Sequence, residues 1–544
     1  MKGCMPKTKV TKAQLIADIR SVAGTHKAIT RAQYLQTGKF KKAYETLFLT
    51  FEEFRAAAKL VAPKDLASGK ERAVEQKFSL PEAGEIKRYI LTSAQNNTYV
   101  HKAFWANVLA FAAHYDAKIM VGTFSYNQNQ FGALSVKRGT EKGKENTLWF
   151  DPAIQEYLSD ARIELAPGLT WCGEMNIQPT EQNPLSGLES YAHGTSAIFP
   201  HTKIEMRSIA VPDGTPVKMN YTTGACTLMN YIQKKAGLKA EHHHSYACLV
   251  VEVNHEGNWW VRQVGAATST CQIQDLDVLV ENGVVTSGNR VESITWGDLH
   301  ATIVDPVVEK LSLEMLDYLK PSSQFLHDVM EGASVNHHTA KNNHEKFRVY
   351  LRGLSSVESE LTQTLDKIKA YSRPWCQTLV VDSNHDNWIT RWLTEHDYRN
   401  DPQNAVFFLE AQLAVYKAMQ SRNDKFHLLE WALQKYGCPE DIRFLRTDES
   451  YTICNGKIEQ GMHGHLGPNG QRGTPQNLNK IGRRANTAHT HTAGIYNGLY
   501  VCGTSTQLRW GYNVGPSSWS HTHTLTYPNG MRALVTIYNG KWKA

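Results

Sequence analysis

The segment QTLVVDSNHD, residues 377–386, decides the reading of this chain. Gln377 to Val381 is a short apolar run of the kind that a strand buried on both faces needs. It ends abruptly in Asp382, Ser383, Asn384, His385 and Asp386, all polar. Hard and borderline ligands directly after a buried strand fall at the edge of an α/β sheet, where such folds build their sites. Four other segments follow the same grammar: GDLH (297–300) after RVESITW (290–296), LHDVME (326–331) after a short strand from Ser323 to Leu326, MHGHLG (462–467) after YTICNGKIEQGM (451–462), and AHTHTAG (488–494).

Around these segments the pattern alternates between strands and helices. Helices are predicted from Ile303 to Leu319 and from His344 to Tyr371, and further strands at IYNGLYVCG (495–503) and MRALVTIY (531–538). Residues 290–544 are therefore expected to form one α/β core. Residues 86–289 read as an α/β to β-rich accessory region, with strands at KRYILTSAQ (87–95), AKIMVGTFSY (117–126), SYACLVVEV (245–253) and NWWVRQV (258–264), and a helix from Lys102 to Tyr115. His242, His243 and His244 are expected in a surface loop of that region. Residues 63–85 read as a linker. Residues 1–62 read as a small all-α module of helix-turn-helix character. Three capping-box patterns mark its helix starts: Thr11 with Gln14, Thr30 with Gln33, and Thr50 with Glu53.

Charge is unevenly placed along the 544 residues. The formal net charge is +7, yet residues 1–90 hold 18 lysines and arginines against 9 acids. A basic module beside a near-neutral body suits a polyanion such as duplex DNA, and equally a solvated surface. Lys27, Arg31, Lys39, Lys41 and Lys42 are its candidate DNA contacts. The nine cysteines are odd in number and scattered, with no Cys-x-x-Cys pair, which argues against a disulfide framework and a thiolate zinc site and for a reducing cytoplasm. No run of 18 apolar residues offers a membrane span, and no apolar stretch follows the basic N-terminus as a secretory signal requires.

Of the 23 histidines, 14 follow residue 297, and the five strand-end segments account for much of that excess. Asp, His and Asn without Cys suit two divalent ions, Mn²⁺ first, with Fe²⁺ or Zn²⁺ as alternatives. One bridging carboxylate can hold two such ions about 3.5–4 Å apart, a clamp for in-line displacement at phosphorus. Taken singly, each segment also fits a packed turn.

In order and spacing the five segments resemble the calcineurin-like metallophosphoesterase superfamily, over residues 298–500. The resemblance implies a β-sandwich flanked by helices. It implies a first metal held by Asp298, His300, Asp328 and His491, and a second held by Asp328, Asn384, His463 and His489. His385 would then be the non-ligand histidine that protonates the leaving oxygen or stabilises the transition state, with Asp386 orienting it. The pattern departs from the superfamily at His327 and Ser383, where it has Gly, at Glu331, where it has a second Asp, and at Ala488. His465 competes with His463, and SHTH (520–523) offers His521 and His523 as a second His-x-His.

Over its whole length the chain is similar to the pre-early DNA-degrading proteins of large siphoviruses that inject DNA in two steps. TSAQNNTYVHKAFWANVLAFAAHY, APGLTWCGEMNIQPT, PLSGLESY and SSWSHTHTLTYPNGMRALVTIYNGKW carry that likeness. It implies a metal-dependent DNase that destroys host DNA early in infection, in the bacterial cytoplasm, and kinship of this kind suits a homo-oligomer; with the ligand set, Mn²⁺ is the expected metal. Two other readings stay open: a small-molecule phosphomonoesterase or nucleotidase, and a DNA-binding regulatory protein whose metal site is structural.

Overall fold

A computed structural model describes residues 10–24, 29–41, 43–60, 78–126, 149–338, 341–511 and 513–544. The chain divides into two compact units. One comprises Met1–Ile204, Asn220–Trp259 and Asn282–Val284; the other comprises Glu205–Met219, Trp260–Glu281 and Val285–Ala544. Among the described residues no helix is long and apolar enough to cross a membrane.

The first unit begins with helices α1 (Lys12–Ala23), α2 (Arg31–Thr37) and α3 (Phe51–Ala57). The capping boxes at Thr11 and Thr30 form in both directions. At Thr50 only half forms, because Glu53 turns instead to the Leu49 amide. Leu15, Ile19, Tyr34, Tyr44, Phe51 and Phe54 close a small core between the helices. The candidate linker is largely outside the described residues. Beyond it, strand Ile86–Gln95 pairs in parallel with Ala117–Phe124 across helix α4 (Lys102–Tyr115), and antiparallel with Ala247–Asn254. His242 and His243 end helix α5 (Lys235–His243) rather than occupying a loop. His243 Nε2 meets the Pro179 carbonyl and His244 Nδ1 the Tyr231 hydroxyl, so these histidines serve local packing.

The second unit is built on a six-stranded sheet. Its order is Arg443–Phe444, Gln377–Val381, Ser323–His327, Ser293–Thr295, Thr522–Thr526, Arg532–Thr536. The first four run parallel and the last two antiparallel to their neighbours. Thr295 pairs with Phe325 and His327 with Val381, so the Ser323–His327 and Gln377–Val381 strands end level and the Ser293–Thr295 strand stops two residues earlier. That register brings the segments after residues 295, 327 and 381 to one edge.

Among the described residues of this unit the longer helices are α6 (Pro306–Leu319), α7 (Asn343–Leu351), α8 (Val357–Tyr371), α9 (Trp388–Glu395), α10 (Ala405–Gln420) and α11 (Leu428–Lys435). All but α7 bury residues, and Leu316, Leu365, Trp392, Phe408 and Leu429 share one core with Leu326 and Val380 of the sheet. Phe325, Leu379 and Val381 instead cluster with Ile453 and Ile458 of a second sheet. Within this unit that sheet runs Thr452–Ile453, Ile458–Glu459, Arg484–Thr487, Leu499–Val501, Gly494–Tyr496, Met206–Ile209. Covered on both sides, the Ser323–His327 strand has no exposed residue, which is why its sequence does not alternate. The result is a mixed α/β architecture.

Three expectations fail at turns. The helix expected from His344 to Tyr371 is two, because Gly353 takes φ +70° after α7 and Ser356 caps α8. The strand expected over 451–462 is a hairpin reversed by Cys454, Asn455 and Gly456, all at positive φ. The one expected over 495–503 folds back at Asn497-Gly498, the pair a tight hairpin turn prefers.

Gly297, at the exit of the Ser293–Thr295 strand, is pressed against the 503–504 backbone. A Cβ there would sit 2.7 Å from the Gly503 carbonyl oxygen and 2.8 Å from the Thr504 nitrogen. Neither neighbour is a side chain that can swing aside. Gly297→Ala is therefore expected to cost about 1–3 kcal/mol of stability. Thermal unfolding reads this directly, and an unchanged midpoint would refute the close approach.

Candidate metal centre

Five loops leave the two sheets of the second unit and converge. The 299–301 loop is laced to the 327–329 loop by main-chain bonds from Leu299, His300 and Ala301 to the carbonyls of His327, Asp328 and Val329, at 2.7–3.0 Å. The 463 and 488 loops are joined by the Ala488 amide on the His463 carbonyl. His300, Asp328, His489 and His491 all hold left-handed backbone, with φ between +43° and +71°. Each such residue costs about 1–3 kcal/mol, and such costs gather where a site demands a particular side-chain direction.

The side chains meet in groups whose ligand atoms lie within 4.8 Å of one another. Asp298, His300, Asp328 and His491 form one group, and Asp328, His463 and His489 a second. Asp328 belongs to both. In the first, His300 Nε2 and His491 Nε2 are 3.2 Å apart, and His491 Nε2 is 2.8 Å from Asp298 Oδ2. In the second, His463 Nε2 lies 3.2 Å from Asp328 Oδ2 and 3.1 Å from Asn384 Oδ1. All seven residues expected as ligands are thus brought together. His465 is outside both groups, its ring 5.4 Å from that of His463. His521 and His523 are also outside: His521 meets the Thr506 carbonyl, and His523 accepts the Gly297 amide and meets Ser312.

Charge balance explains how two carboxylates survive burial. Burial alone would raise the pKa of Asp298 and Asp328, yet neighbouring histidines hold both below the usual carboxylate range. His463 acts on each; His491 adds to it at Asp298, and His385 and His300 at Asp328. Burial lowers the imidazoles, but the carboxylates reverse this at two of them. Glu331 brings His300 up to about 9, and Asp328 with Asp298 brings His463 up to about 8. At His489 burial, with the charge of His463, outweighs Asp298 and Asp328, and the pKa falls to about 4.

The donor set fits divalent cations. Asp298 Oδ2 is fully buried, close to His491 Nε2, and still lacks a well-aligned hydrogen bond. Nitrogen and oxygen donors from five separate loops, without a thiolate, make the chemistry of a borderline or hard metal. The buried Asp/His cluster can hold metal ions.

The residues around the ligands differ from expectation. Asp386 does not orient His385. Its carboxylate takes the Met330 amide at 3.0 Å and meets Ser383 Oγ, which in turn accepts the Asp328 amide. Asp386 thus steadies Asp328 through a serine that replaces the glycine of the motif. His385 Nδ1 donates to the Glu331 carbonyl at 2.7 Å, and its ring lies on Trp388 with centroids 3.8 Å apart. The Glu331 carboxylate is 2.6 Å from His300 Nδ1, a backing the sequence signalled only through its place three residues after Asp328. The pair lacks good hydrogen-bond alignment, and Glu331, His300 and His385 also fall within ligand range of one another. His327 was likewise not foreseen. Burial pushes its pKa to about 3, so it is neutral, and its Nδ1 accepts from His463 Nδ1 at 3.3 Å, leaving His463 Nε2 for the ligand group.

Of the candidate DNA contacts, Lys27 and Lys42 lie outside the described residues. Arg31 is engaged by Tyr44 and Glu45, Lys41 by the Gln36 carbonyl, and Lys39 is exposed.

At pH 7, His300 and His463 carry protons in the metal-free chain, because their pKa values are raised. A cation binds neutral imidazole, so uptake should release about two protons and tighten as pH rises towards 8–9. Calorimetry in buffers of different ionisation enthalpy counts them, and uptake without proton release would contradict the electrostatics. Glu331→Gln should reduce the release and weaken binding about 10–100-fold.

No family model and no solved structure matches the chain. A curated protein does: Protein A1 of Escherichia phage T5 is 36% identical over 479 residues, which cover 84% of this chain and 83% of that protein. Identity of that order along most of both sequences means that this chain belongs to the family of phage T5 Protein A1.

Proposed function

We propose that the chain is a nuclease that hydrolyses phosphodiester bonds of DNA with two divalent cations, Mn²⁺ first, and that it degrades host DNA early in infection, in the bacterial cytoplasm. The observation that carries this reading is Asp328, whose carboxylate belongs to both buried ligand groups. Asp298, His300, Asp328 and His491 would hold one ion; Asp328, Asn384, His463 and His489 would hold the other. When bound, such a pair supplies Lewis acidity to a phosphoryl oxygen and lowers the pKa of an attacking water.

His385 is the group left to handle a proton. Nδ1 is occupied by the Glu331 carbonyl and the ring is fixed against Trp388, so Nε2 is the free atom. Burial depresses its pKa, which keeps the ring neutral at pH 7. Nε2 then accepts a hydrogen bond, and donates to a leaving oxygen only after taking up a proton.

The surroundings favour a polyanion over a small ester. His337 and His338 lie beside Trp388, with ring centroids 5.2 and 5.8 Å away. Helix α7 follows shortly after in the chain and buries nothing. It exposes Phe347 and Tyr350 among Lys341, Lys346, Arg348 and Arg352, and the Arg352 guanidinium sits 4.9 Å over Trp510. Aromatic rings among cations suit stacked bases and phosphates. The phage relative is consistent with this setting.

Purified chain is expected to degrade plasmid DNA with Mn²⁺ and to stop with EDTA. His385→Ala should lower the rate about 10²–10⁴-fold while metal stoichiometry is kept. Turnover of a chromogenic monoester with DNA untouched would favour the nucleotidase reading instead. Salt-sensitive DNA binding without cleavage at any divalent metal would favour the regulatory one.

A further inference from the structure

Helix α8 carries a charge where its pattern calls for an apolar residue. Val357, Leu361, Thr364, Leu365 and Ile368 belong to its buried face, and Glu360 lies fully buried among them. Among the described residues no lysine, arginine or histidine pairs with this carboxylate, and a second acid, Glu331, acts against its charge. Such a group is costly unless hydrogen bonds replace the water it has lost. All three of its side-chain bonds come from one turn. The Ala333 amide donates to Oε1 at 2.9 Å, and the Ser334 amide and hydroxyl to Oε2 at 2.9 and 2.5 Å. The turn is the short 3₁₀ segment Ala333–Val335, entered through Gly332 at φ +74°.

This turn directly follows Glu331, which serves two histidines with two different acceptors. Its main-chain carbonyl takes the His385 Nδ1 proton at 2.7 Å, and its carboxylate lies 2.6 Å from His300 Nδ1. That carboxylate is also only 3.9 Å from His385 Nδ1, so a small rotation of the turn would offer His385 the wrong acceptor. Gly332 presses the turn onto the other side of the same histidine. A Cβ there would meet Trp388 Cε3 at 2.7 Å, and Trp388 is the ring on which His385 lies. A serine or an exposed acid of its own would cap such a turn at less cost. Here the cap comes from a separate helix and is locked in the core, which fixes the turn relative to α8 as well as closing it.

We infer that Glu360 is a positioning residue for His385: it pins the 333–334 amides so that the Glu331 carbonyl, and not the Glu331 carboxylate, receives the Nδ1 proton. That choice leaves Nε2 of His385 as the unprotonated atom and keeps the Glu331 carboxylate for His300. The inference rests on the reading of His385 as the group that handles a proton, and it extends that reading to a residue outside every ligand group.

Two measurements on the full chain test it, and the first needs no metal and no substrate. In the metal-free chain the hydrogen-bonded Nδ1 proton of His385 should give a downfield imidazole resonance, recognised by its loss in His385→Gln. Glu360→Gln keeps the side-chain volume but turns an N–H₂ group towards one of the donors. It should abolish the resonance while the circular dichroism spectrum stays as in the unaltered chain. Ser334→Ala removes one bond and leaves the carboxylate in place, so it should displace the resonance without abolishing it. In the second measurement, at saturating Mn²⁺, Glu360→Gln should lower the rate of DNA cleavage about 10–100-fold at unchanged KM. In a His385→Ala background the same change should cost nothing further, because Glu360 acts through that histidine. A carboxylate that serves stability alone would leave the resonance in place, or would lower the rate by the same factor in both backgrounds. Either result overturns the inference. If the unaltered chain leaves DNA intact, the nuclease reading falls, and the resonance alone decides whether Glu360 positions His385.

Discussion

A single buried carboxylate, Asp328, organises the second unit. It directly follows a central strand of a sheet whose neighbouring strands stop within two residues of the same level, and it reaches histidines from several loops at once. An isolated carboxylate in that position would protonate, because desolvation penalises its charge. Asp328 instead stays ionised, held by imidazoles that it keeps charged in return. The arrangement is a buried network of alternating sign, and a network of this kind holds together only while its members are paired. Divalent cations are the natural replacement for the protons that the metal-free cluster carries.

Much of the surrounding structure bears the cost of this arrangement. Four of the ligand residues accept left-handed backbone, which side chains of their kind avoid unless neighbours impose it. The imposition is visible: main-chain bonds tie the 299–301 loop to the 327–329 loop, Ser383 and Asp386 brace the Asp328 amide, and Gly297 lets the 503–504 backbone come close. His327 and Glu331 add side-chain support behind His463 and His300. Trp388 immobilises His385 and begins α9, which packs on α10.

The ligand residues were legible because their chemistry is concentrated. Strand ends carrying Asp, Asn and His have few other uses, and the parallel strands place them at one edge. Helices α4 and α6 and the Gln377–Val381 strand were legible from periodicity and caps. Turns were less so. Asn497-Gly498 was overlooked because apolar residues on both sides suggested one continuous strand. Gly353 was overlooked because the residues on either side of it favour a helix. The partner of His385 was misassigned to Asp386, its neighbour in sequence. The register instead gives the Nδ1 proton to a main-chain carbonyl 54 residues away, which no local pattern reveals.

The sharing of one aspartate by two ions can be tested without reference to any substrate. Loaded with Mn²⁺, the chain should give the electron paramagnetic resonance spectrum of two exchange-coupled ions, and Asp328→Ala should abolish the coupling. A six-line spectrum of isolated Mn²⁺, or coupling that survives the loss of Asp328, would contradict the bridged centre.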